Sequence, residues 1–116
     1  MGTVVFIIQI LLGLAFLFFG LMKFGSKQMT EEFARYGYPQ WFRVVTGIVE
    51  LAAGVLLLAG FWHDQLTAWG SLLATLCMIG AVVTHLKVKD AAAKFTTPAV
   101  LLILSAFLLY VNSGNF

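Results

Sequence analysis

Four long apolar runs constrain this 116-residue chain more than any other feature. Thr3–Met22 carries no charge, Val44–Trp62 carries only Glu50, and Leu66–Leu86 carries none beyond His85. Thr97–Val111 is shorter and also uncharged, and it becomes long enough when its flanks join the helix. A helix rises ~1.5 Å per residue and the bilayer's hydrocarbon core is ~30 Å thick, so ~20 residues cross it. Each run therefore predicts a transmembrane helix. Composition closes off the alternatives: 61% of the residues are hydrophobic and 10% are charged. A soluble domain this small has too little interior for so much apolar surface, and disordered chains are polar. A net charge of +2 without a basic stripe leaves no footprint for nucleic acid. The expected fold is all-α: a single-domain antiparallel four-helix transmembrane bundle over residues 1–116.

The first run lacks a basic segment before it and a small-residue cleavage site after it, so it reads as a retained helix rather than a signal peptide. Lys23, Lys27, Arg35 and Arg43 cluster between the first two runs, and Lys87, Lys89 and Lys94 between the last two. All seven Lys and Arg residues thus fall on one side. The positive-inside bias places both termini outside a cell membrane, a bacterial inner membrane being the expected setting. Tyr36, Tyr38 and Trp41 are expected at the inner interface, and Phe61, Trp62, Trp69 and Tyr110 at the outer one. Between the first two spans, Met29, Phe33 and Tyr36 recur at helical spacing, with Thr30 as a candidate cap and Gly37 and Pro39 as terminators. This segment predicts a short amphipathic helix lying on the cytoplasmic headgroups or capping the bundle, the alternative being a solvated connector.

Few residues can carry chemistry. Glu50 lies seven residues beyond Arg43, about 10 Å into the membrane by the helical rise. A charge near mid-bilayer costs about 3 kcal/mol or more, so the acid should face the bundle interior. Matching depths offers Cys77 and Ser105 as neighbours, with Lys23 and His85 at the rim, within snorkelling reach. Gln9 is the second polar intruder, and Tyr110 is its candidate hydrogen-bond partner. Glu50, Lys23, His85, Gln9, Arg43, Cys77 and Ser105 form the candidate ligand-binding set; the alternative is polar glue that fixes helix packing. Gly13 and Gly20, like Gly47 and Gly54, repeat at seven residues and mark close-packed seams, within one chain or between two. No phosphate loop, nucleophile elbow, metal cluster or complete catalytic constellation is present in the sequence.

The segment from Gln9 to Lys23 with Gly13 and Gly20, the Tyr36-Gly37-Tyr38-Pro39 loop, and Gly47–Gly54 around Glu50 together resemble the DoxX-like family. Gly80–Leu86 with His85 and Asp90 is similar to that family's third-helix ending. The resemblance covers nearly the whole chain in order. Gln9 stands where many relatives carry Arg. Some members are similar to the membrane subunit of a thiosulfate:quinone oxidoreductase, others are linked to thiol or quinone stress, and distant ones look like assembly factors. The resemblance thus implies a quinone- or lipid-binding membrane subunit associated with redox chemistry, working with a partner subunit or as a homo-oligomer. Electrons would need a bound quinone or that partner. Two other classes stay open: a structural or chaperone-like protein, and a small-solute or proton transporter, which four helices would support only as an oligomer.

Overall fold

Water is absent from the hydrocarbon core, so a chain crossing it must satisfy every backbone group within itself, and helices do so. The computed structural model describes residues 2–116; Met1, the first residue of the expected domain, lies outside the described residues. Four helices are long and apolar enough to span a membrane: α1 (Gly2–Gly25), α3 (Gln40–Ala59), α4 (Asp64–Lys87) and α5 (Ala92–Val111). A fifth, α2 (Lys27–Tyr36), joins α1 to α3, and a short 3₁₀ turn, Ser113–Asn115, follows α5. The last span is longer than the uncharged run because it begins at Ala92, which places Pro98 inside the helix. Pro98 has no N–H to donate one turn back, so the Lys94 carbonyl goes without its helical donor while the helix continues.

The chain folds up and down, with α1 against α3, α3 against α4, and α4 against α5; α5 returns to α1 along a thinner seam. The glycine repeats belong to one seam inside the chain. A Cβ on Gly54 would lie 2.9 Å from the Gly13 carbonyl and the Leu17 amide, and one on Gly20 would lie 2.9 Å from the Gly47 carbonyl. The two backbones therefore touch at two levels, in the manner of small-residue packing in membranes. Leu12 and Phe16 of α1, Ala53 and Leu57 of α3, Ala74 and Met78 of α4, and Leu108 of α5 fill the interior. Their outward neighbours are exposed apolar side chains, as lipid-facing helices require.

Sequence reasoning misplaced the cap of α2. Ser26, not Thr30, caps it: the Ser26 hydroxyl accepts from the Met29 amide at 3.3 Å, and Thr30 lies within the helix. Its end falls where expected, at Gly37 with φ +84°. There the Gly37 amide donates to the Ala34 carbonyl and the Tyr38 amide to the Phe33 carbonyl, a Schellman closure. The end of α4 repeats this closure with Lys89 in the left-handed position, φ +58°, where glycine is the usual occupant. Trp41 sits exposed at the end that carries all the basic residues, and Trp62 and Tyr110 at the opposite end, each 79% exposed. Gly54→Leu should force α1 and α3 apart and cost about 1–3 kcal/mol, read as an earlier thermal transition in detergent.

Candidate functional site: a buried ion pair beside an apolar cavity

The close seam sets what faces the bundle interior at the basic end. Three residues after Gly47, Glu50 turns inward and is only 3% exposed. Three residues after Gly20, Lys23 leaves the last turn of α1 and reaches it: Nζ lies 2.9 Å from Oε1 and 3.1 Å from Oε2. A buried charge is tolerable when it is paired, and this pair is the chain's answer to the cost of Glu50. Arg43 does not compete for the acid. Its guanidinium donates to the Lys23 carbonyl and, at 2.8 Å, to Gln40 Oε1. It thereby closes an open carbonyl at the C-terminal end of α1, where a cation is favoured.

Beside the pair opens a cavity of about 570 Å³, within the usual size range of small-molecule sites. Phe19 and Met22 of α1, Val45 and Val49 of α3, and Leu101 of α5 supply apolar wall. Lys23, Glu50, Cys77, Tyr38, Thr84 and His85 are among its polar lining residues. Four of the seven candidate residues, Glu50, Lys23, Cys77 and His85, therefore share one cavity. The remaining three stand elsewhere. Arg43 lies behind the pair, and Ser105 is fully buried on α5 without a hydrogen-bond partner.

Gln9 lies toward the opposite end of the bundle, and its partner is not Tyr110, which faces outward. Its amide donates to the Leu57 carbonyl at 2.7 Å and to Thr67 Oγ1 at 3.0 Å. Gly60 makes room for this cluster: a Cβ there would meet Thr67 Oγ1 and the Gln9 amide. Gln9 thus ties α1 to α3 and α4 by hydrogen bonds. A neutral amide suffices for that role, so the missing positive charge leaves no structural gap.

The basic end is roofed by α2, which lays Met29, Phe33 and Tyr36 over the cavity. His85 does not lean toward Glu50; its Nδ1 lies 2.6 Å from Asp90 Oδ2. The Schellman turn after α4 brings Asp90 back toward His85, and Arg35 of α2 clasps the same carboxylate at 2.8 and 3.1 Å. Arg35 and then His85 hold the Asp90 carboxyl down to about 2, so Asp90 stays ionised throughout the neutral range. Burial, together with the Glu32 carboxylate, raises the Tyr36 phenol to about 12, keeping it neutral. Lys87 donates to the Tyr36 carbonyl at 3.2 Å and sits 4.4 Å from the Tyr38 ring centre, while the Tyr38 hydroxyl meets Thr84 Oγ1 at 2.9 Å. Of the two places the sequence allows the Met29–Phe33–Tyr36 segment, headgroups or a cap on the bundle, it takes the cap; Tyr38, expected only at the interface, joins it through contacts between residues 46 and 51 apart in the chain.

Helices that bury one ion pair beside an apolar cavity define a small multi-pass membrane bundle with an internal site. The sequence profile of the DoxX-like family matches residues 7–108, and the chain belongs to that family. The uncharacterized protein YdgD of Bacillus subtilis (strain 168) is 36% identical over 56 residues, 48% of this chain and 49% of that protein. The aligned stretch thus spans about half the length of this relative. No solved structure matches the chain.

The ion pair makes its own test. Lys23→Met strands a buried carboxylate and should cost about 3 kcal/mol, whereas Lys23→Met with Glu50→Gln should recover most of it. Thermal unfolding of the two variants in detergent checks this, the double variant being the more stable.

Proposed function

We propose that this protein is a membrane subunit that binds a quinone or a lipid in the cavity beside Lys23 and Glu50, in association with redox chemistry. One observation carries the reading: a cavity with apolar walls and a buried ion pair within it suits an amphiphile with an apolar body and a polar head. The donor set fits such a head. The Lys23 ammonium, with two of its three N–H groups on Glu50, keeps one to donate to a carbonyl, and the Glu50 carboxylate can accept from a hydroxyl. A bound quinone would supply the electron-carrying chemistry; the chain supplies the pocket, the hydrogen bonds and the exclusion of water. Cys77 and His85 line the same space as secondary contributors, and a partner subunit or a second copy of the chain is the proposed electron partner.

Glu50→Gln separates this reading from that of a structural or chaperone-like protein. The latter draws on the position of the pair, which ties α1 to α3 along their glycine seam. If the acid engages a ligand, the Gln variant should lose copurifying quinone or lipid, identified by mass spectrometry, while the bundle stays folded. A Gln variant with full ligand content would favour the fastening role.

The same proposal places both termini outside the cell membrane, supported by the seven Lys and Arg residues gathered at one end of the bundle. With Cys77 changed to Ala, a cysteine at Ser113 should label from outside intact cells and one at Ser26 should not. The reverse pattern would invert the topology.

A further inference from the structure

The cavity is closed along the bundle axis and open on its flank. Toward the basic end it is covered by α2, with Phe33 only 5% exposed and Arg35 clasped to Asp90. Toward the other end it meets the packed core and the Gln9–Thr67 cluster. Along the α3–α4 seam the two halves differ. At Gly70 the helices are in contact, and a Cβ would lie 3.0 Å from Leu56 Cβ and from the Leu57 amide. At Gly80, ten residues further along α4, a Cβ would meet nothing within 4 Å, although Gly80 lines the cavity. The most exposed apolar lining residues are Val45 of α3 and, one turn to either side of Gly80 on α4, Leu76 and Val83. These three exposed side chains belong to helices long and apolar enough to span a membrane.

We propose that the gap at Gly80 is a lateral portal through which a bilayer-dissolved ligand with an uncharged, hydrogen-bonding head reaches the Lys23–Glu50 pair. The inference rests on the ligand-binding reading above and adds the route and the charge of the head. The route follows from the geometry, since the flank is the side left open while the axial ends are covered. The charge follows from pairing. Among the described residues Lys23 is the only Lys or Arg lining the cavity, and both oxygens of Glu50 engage it. A phosphate head would have to break that pair, whereas a carbonyl or hydroxyl can share its hydrogen bonds.

The test uses the full chain in phosphatidylcholine nanodiscs loaded with decylubiquinone, and times transfer of the quinone to empty vesicles. Gly80→Phe places a ring in open space and spares every packed contact, so its thermal transition should match the wild type. Its transfer rate should fall about tenfold, because residence is governed by escape through the blocked gap. Arg35→Ala loosens the roof and should leave the rate near that of the wild type. Transfer from Gly80→Phe at the wild-type rate, or acceleration in Arg35→Ala alone, would overturn the portal while leaving the site intact. Displacement of the quinone by phosphatidylglycerol would overturn the uncharged-head requirement. A wild-type chain that retains no decylubiquinone would sink the binding reading, and the portal with it.

Discussion

Backbone contact between α1 and α3 is the constraint on which the functional end of this protein depends. Gly13 with Gly54 and Gly20 with Gly47 let two helices approach closely enough that side chains one turn further along meet across the seam. Lys23 and Glu50 are those side chains. Moved apart by one methyl group at either level, the lysine would need a different reach, and the acid would stand alone in a low-dielectric interior. The glycines therefore govern the electrostatics of the site as much as the packing of the bundle.

The spans, the end of α2 at Gly37 and the inward acid at Glu50 are legible in the sequence, because each follows from a local cost. An apolar run must leave water, a left-handed residue favours glycine, and a carboxylate inside a membrane must turn away from lipid. Long-range pairings are a different matter. Lys23 was visible as a snorkelling candidate because its depth could be counted along one helix. The Arg35–Asp90–His85 clasp depends on how α2 folds back over the end of α4, and no spacing encodes that. Gln9 illustrates the same limit: depth counting offered Tyr110 on α5, but helix rotation, which the hydrophobic pattern of a lipid-facing helix barely fixes, turned Tyr110 to the outside. Ser26 displaced Thr30 as the cap because α2 begins almost directly after α1, with one residue between them.

The two ends of the bundle are built to different rules. At the end near Gln9, small residues and buried amide and hydroxyl hydrogen bonds draw three helices together. At the basic end the helices are held by charged and aromatic side chains on short connecting segments, and space remains between them. A site for a small molecule belongs in the second kind of construction, where packing leaves room between the spans.

The packed layer of Leu12, Phe16, Leu57 and Leu108, each at most 1% exposed, has a bearing on the membrane itself. It interposes an apolar layer between the cavity with its ion pair at one end and the Gln9 cluster at the other. A ligand of the kind proposed would exchange on one side of that layer, and its binding would open no path for the proton or ion gradients that the membrane holds.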